Sequence, residues 1–190
     1  MPSDSRNLPR LVAVAYAFGP LRKRVVFVGG AVVNRYSTTP ASPPEPRVTE
    51  DVDCIVEVAP RPAFYQLEEE LRTLGFVNDV AAGVICRWTY QGLTVDMMPI
   101  DPAILGFGNP WYAAGFAQAI PYTLPDNSTI RLLSPVYFLC TKLVALRDRG
   151  WGELRLSQDL EDIVHLVANR LERQAELSQA DPSARGYAQQ

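Results

Sequence analysis

The sequence predicts an α+β fold: a mixed β-sheet with packed helices and a short helical C-terminal portion. Two observations carry this. Short β-branched or alternating apolar runs at 25–28, 52–58, 84–90, 93–98 and 129–133 occupy the first two thirds of the chain. The two helices with the clearest start signals come last, at 134–149 and from 157 to about 171. Strands interleaved with helices and then followed by them describe a sheet with helices laid on it, not a bundle or a sandwich.

The elements follow in order. Residues 8–18 form an apolar helix, with Asn7 in the cap position and Pro9 tolerated in the first turn. Val25-Val26-Phe27-Val28 is a buried strand stopped by Gly29-Gly30, and 31–36 open a helix. Residues 37–47 (STTPASPPEPR at its densest) are a loop, because proline removes donors and no apolar period runs through them. A strand over 52–58 precedes a helix over 62–74, where Phe64, Leu67, Leu71 and Leu74 share one face and Gly75 ends it. Gln91-Gly92 joins the strands 84–90 and 93–98 as a hairpin. Residues 101–125, rich in Gly, Pro and aromatics, favour no element. Ser134-Pro135 opens the first late helix, and Ser157 caps the second, with Asp159 and Glu161 in its first turn. The reading is one domain over 1–178, with a core at about 25–133, a helical portion at about 134–178 and a polar tail at 179–190.

Composition narrows the function classes. The 190 residues are 47% hydrophobic and 21% charged, which excludes a disordered chain. A net charge of −3 excludes a wholly basic, nucleic-acid-coating surface but leaves room for a local basic groove. Three scattered cysteines (Cys54, Cys86, Cys140) and one histidine support neither a disulfide framework nor a zinc site. No leader pattern and no run of about 20 apolar residues is seen, so the expected location is the cytoplasm, with no membrane partner.

Five features can carry chemistry. Gly29-Gly30 follows a buried strand and opens a helix, so it is either a tight turn or a cradle where backbone approaches phosphate. Asp51 and Asp53, two apart at a strand entry, project on one side. They are either a solvated entry or a pair whose repulsion a divalent metal relieves. Asp96 lies within an apolar strand, where a carboxylate needs water or a partner; a neighbouring strand bearing Asp51 and Asp53 would supply one through a metal. Lys142 shares a face with Phe138 and Leu139, so it snorkels or meets an anion. Asp159 and Asp162 lie on one helix face, with Arg147 and Arg149 as candidate partners.

The order of these features resembles the nucleotidyltransferase superfamily of DNA polymerase β. The fuller pattern is R-x-T-x-D-x-D (Arg47, Thr49, Asp51, Asp53), then K-L-x-A-x-x-x-R (Lys142, Leu143, Ala145, Arg149), then D-L-x-D-I (Asp159, Leu160, Asp162, Ile163). It is similar to the AbiEii-type branch, the toxins of type IV toxin–antitoxin systems. The resemblance implies a metal-dependent enzyme that transfers NMP from an NTP to an acceptor hydroxyl. It makes Asp51, Asp53 and Asp96 the ligands of Mg²⁺ (or Mn²⁺) and the catalytic carboxylates. Gly29 and Gly30 hold the triphosphate, and Arg47, Thr49, Lys142, Asp159 and Asp162 complete nucleotide binding. In the toxin branch the acceptor is the tRNA 3′ end, with a cognate antitoxin as partner. The alternatives are a protein or small-molecule acceptor, or a non-catalytic nucleotide-binding relative. An RNA acceptor further calls for a basic rim; Arg22, Lys23, Arg24, Arg47, Arg147 and Arg149 are its candidates.

Overall fold

A computed structural model describes residues 6–39, 46–58, 61–149 and 156–189. Seven strands form one mixed sheet in the order β3-β4-β5-β2-β1-β7-β6. They are β1 (Val25–Val28), β2 (Asp51–Val56), β3 (Val77–Asn78), β4 (Arg87–Tyr90), β5 (Leu93–Pro99), β6 (Ile120–Thr123) and β7 (Thr129–Leu132). β1 runs antiparallel to β2 and parallel to β7, and β2 runs parallel to β5. All four residues of β1 are buried, as expected of an interior strand in a helix-covered sheet.

Helix α1 (Asn7–Phe18) packs through Phe18, whose ring lies 6.0 Å from that of Phe27 and 5.1 Å from that of Phe76. Asn7 is not the cap. Arg6 holds that position, and the Asn7 amide, 1% exposed, donates to the Arg47 carbonyl and accepts from the Thr49 N–H. A buried amide must be satisfied somewhere, and the segment leading into β2 satisfies this one. The helix expected over 31–36 is a 3-10 helix over Gly30–Tyr36. Helix α2 (Arg61–Thr73) is followed by Gly75 at φ +89°, a left-handed residue that closes it. In the β4–β5 hairpin, Gln91 and Gly92 both have positive φ, the two-residue turn whose twist suits a hairpin.

Two parts depart from expectation. Residues 101–125 contain α3 (Pro102–Leu105), α4 (Tyr112–Ala117) and β6, elements too short for an apolar period to show. The proposed polar tail is largely helical: α7 (Arg173–Gln179) reaches into it, and α8 (Pro182–Ala188), capped by Asp181, lies within it. Ala184 is fully buried, its carbonyl faces the Cys140 thiol, and the Tyr187 ring lies 5.2 Å from that of Trp111. Ala180, Ala184, Tyr187 and Ala188, spread among polar residues, anchor this segment and do not register as a face.

Helix α5 (Pro135–Asp148) forms the centre of the helical layer, and α6 (Gln158–Asn169) packs beside it. Ten residues of α5 are buried, Lys142 among them.

Candidate active site

Strand register assembles the site. Val28 pairs with Asp53, Asp53 with Asp96, and Asp96 with Arg87, so one row crosses β1, β2, β5 and β4. Side chains in register on neighbouring strands share a face. Asp51, two residues before Asp53, joins the same side. Carboxylate oxygens of Asp51, Asp53 and Asp96 all lie within 4.8 Å of one another. Burial and the charges of Asp51 and Asp96 push the Asp53 carboxyl up to about 7; Lys142 and Arg47 partly offset this.

Gly29, at φ +72°, abuts this cluster: a Cβ there would stand 1.9 Å from Asp53 Oδ2. Both the backbone angle and the space therefore require glycine. Gly30 is needed for space alone, since a Cβ would lie 2.2 Å from Arg47 Nη2. The glycine pair thus lets the 3-10 helix lie directly on the carboxylate and the guanidinium.

Arg87 is the cleft residue that motif reading missed. Its guanidinium forks the Asp96 carboxylate at 2.8 and 2.7 Å and reaches Asp51 at 3.5 Å. The signal was available: counting back from the Gln91-Gly92 turn pairs Tyr90 with Leu93 and hence Arg87 with Asp96.

A second charge network backs the first. Lys142 Nζ lies 3.1 Å from Asp159 and 2.7 Å from Asp162, carboxylates that are 2% and 1% exposed. Arg47 forks Asp162 at 3.1 and 3.0 Å, and Arg149 pairs with Asp159. Lys142 therefore does not snorkel; it meets anions, and they are the protein's own.

These residues enclose a cleft of about 310 Å³. Gly29, Arg47, Asp51, Asp53, Arg87, Asp96, Lys142, Arg149 and Asp159 are among its lining residues, and so are Val84, Met98, Phe107 and Tyr112. Three expected nucleotide contacts stand behind the wall instead. Thr49 is 2% exposed and its hydroxyl donates to the Asp51 carbonyl, which makes it a positioning residue for β2. Asp162 is turned toward Arg47 and Lys142, and Gly30 is buried against Arg47. The basic rim is also corrected. Arg22, Lys23 and Arg24 precede β1, whereas the cleft lies at its far end; Arg24 pairs with Glu70. Arg147 stacks over Tyr187, leaving Arg47 and Arg149 as the rim candidates at the cleft.

Five carboxylates and four cations gather at and behind the cleft: Asp51, Asp53, Asp96, Asp159 and Asp162 against Arg47, Arg87, Lys142 and Arg149. A polyanion entering here meets a net negative surface unless further positive charge comes with it. The oxygen-only donor set suits a hard divalent ion such as Mg²⁺ or Mn²⁺. Burial and the neighbouring carboxylates of Asp51 and Asp96 make a negative charge on Asp53 costly, and a divalent ion held by the three would offset that cost. Burial lifts the Cys86 thiol on the cleft wall to about 11, which removes it as a nucleophile.

The chain matches the family described as "Nucleotidyl transferase AbiEii toxin, Type IV TA system" over residues 10–186. No curated protein matches it. Among solved structures it is similar to an antigenic nucleotidyltransferase-like protein from Paracoccidioides brasiliensis. That similarity has a TM-score of 0.55 at 17% identity, over 96% of this chain and 93% of the other. The fold is nucleotidyltransferase-like.

Proposed function

The chain belongs to the AbiEii nucleotidyltransferase toxin family, and from that premise we propose a metal-dependent enzyme that transfers NMP from an NTP to a hydroxyl of RNA, the tRNA 3′ end. The convergence of Asp51, Asp53 and Asp96 carries the reading, because nucleotidyl transfer needs carboxylates grouped around one reacting phosphorus. Mg²⁺ or Mn²⁺ held by these three would supply Lewis-acid stabilisation of the attacking and leaving oxygens. The chain's own residues do the rest. The backbone at Gly29, packed against Asp53 at the cleft wall, lies where the triphosphate would enter. Arg149, exposed on the cleft wall, orients the leaving pyrophosphate, while Lys142 holds Asp159 and Asp162 behind it. The acceptor oxygen bonds to the α-phosphorus as the bond to the β-phosphate oxygen breaks, and the hydroxyl proton passes to a carboxylate of the triad. Arg87 keeps Asp96 oriented through both of its oxygens.

Among the described residues no helix is long and apolar enough to cross a membrane. The same reading places the enzyme in the cytoplasm with its NTP and RNA substrates, opposed by a cognate antitoxin. Incubation with each labelled NTP, Mg²⁺ and total RNA tests it. Label should enter a tRNA-sized band with wild type and not with Asp53→Ala. Label appearing equally with Asp53→Ala overturns the mechanism; label on protein or small molecules alone overturns the RNA acceptor.

A further inference from the structure

We propose that Phe107, on the wall of the cleft, seats the nucleobase of the substrate NTP by stacking; this rests on the nucleotidyltransferase reading above. The chain has seven phenylalanines, and six of them are at most 9% exposed. Phe107 is 48% exposed, and it lines the same cleft as the three carboxylates. Phe107 therefore presents part of its ring to the cleft, where a planar base could pack on it. Met98, two residues after Asp96 on β5, and Tyr112 line the same cleft, and the Tyr112 hydroxyl faces the Met98 sulfur. The cleft thus offers apolar and aromatic side chains beside its charged ones, as a nucleotide joins a base to phosphates.

The loop that carries Phe107 is held in place. Gly106 has φ +80°, and a Cβ on Gly108 would stand 3.0 Å from the Pro102 side chain, so the loop folds tightly on α3. Asn109 donates to the Thr141 carbonyl of α5 and accepts from the Trp111 N–H, each at 3.1 Å. This fastens the loop one residue from Lys142. It also engages both ends of the Asn109 amide and fixes that side chain's orientation. Phe107, which has no polar atom, acts through ring area, which every base can use.

Calorimetry in the presence of Mn²⁺ tests this, with ATP, GTP and inorganic tripolyphosphate as probes. Stacking lost to alanine substitution corresponds to about a tenfold weakening or more. Phe107→Ala should weaken both NTPs about tenfold and leave tripolyphosphate within twofold of wild type. Phe107→Trp should hold NTP affinity at or above wild type. The half-exposed ring makes either variant readily folded, and a melting curve within a few degrees of wild type checks this. Unchanged NTP affinity in Phe107→Ala, or an equal loss for tripolyphosphate, overturns the proposal. So does intact NTP affinity with a raised KM for the acceptor, which would give the ring to the other substrate. Wild-type protein that takes up neither NTP nor tripolyphosphate overturns the nucleotidyltransferase reading itself.

Discussion

Arg87→Gln isolates what the guanidinium does for the carboxylate cluster. Arg87 forks Asp96 at 2.8 and 2.7 Å, and the two side chains are 28% and 11% exposed. Removing one partner of a fully buried pair costs about 3–5 kcal/mol. The exposure of Arg87 lowers this, and we expect about 2 kcal/mol lost in metal-free protein. Three carboxylates within 4.8 Å would then lack the cation that now spans two of them. A divalent ion replaces that charge and, in the variant, no longer shares Asp96 with a guanidinium. Mn²⁺ should therefore bind Arg87→Gln about tenfold more tightly than wild type, which returns about 1.4 kcal/mol at saturation. The assay is urea unfolding in EDTA and in saturating Mn²⁺, alongside calorimetry of Mn²⁺ binding. The gap between variant and wild type should be widest in EDTA and shrink to less than half with metal. An equal gap in both conditions would refute the reasoning, because Arg87 would then be supporting the strands and not the charge of the site.

The other predictions concern separate residues. Asp53→Asn should raise metal-free stability by about 2 kcal/mol at pH 8. The Asp53 carboxyl is lifted from 3.8 to about 7, so its favourable contribution is complete below pH 4 and is lost as pH rises through 7; the variant's advantage should fade toward pH 5. For the same reason Mn²⁺ affinity of wild type should fall about tenfold per pH unit below 7, and a flat profile from pH 6 to 8 would contradict it. Lys142→Met should lose about 3 kcal/mol in chemical denaturation, since Asp159 and Asp162 are nearly fully buried beside Nζ; a loss below about 1 kcal/mol would mean the neighbouring arginines suffice. Gly29→Ala should abolish NMP transfer while circular dichroism stays native, because its Cβ would enter the space of Asp53 Oδ2; near-normal turnover would show that the loop can retreat. A chain ending at 179 should lose about 2 kcal/mol and change the fluorescence of Trp111, which α8 covers through Tyr187; unaltered stability would make α8 dispensable.

What the sequence reveals depends on how local each signal is. β1, the Gln91-Gly92 hairpin and the Ser134-Pro135 and Ser157 helix starts are written in adjacent residues, and the structure has each of them. Asp51 and Asp53 are legible because a strand's period puts them together; Asp96 is legible because its apolar surroundings make it conspicuous. Arg87 is not, since a polar residue at the start of a four-residue strand looks like ordinary alternation until the hairpin register is counted out. Asn7 is ambiguous for another reason. The same residue type caps helices and bridges loops, and only the position of Arg47 and Thr49, forty or more residues away, decides between the two. Lys142 shows the limit of a face argument: periodicity turned it inward correctly but could not say that its anions belong to α6.

The row from Val28 through Asp53 and Asp96 to Arg87 also bears on synthesis. Its members come from four strands spread over the first half of the chain, while the opposite wall waits for Asp159 on α6. No hairpin or isolated helix holds even two of the three clustered carboxylates together with a cation from that wall. Contacts this distant in sequence require long stretches of chain to be closed on one another. A polypeptide still emerging from the ribosome therefore has an incomplete cleft until α6 has been made and docked.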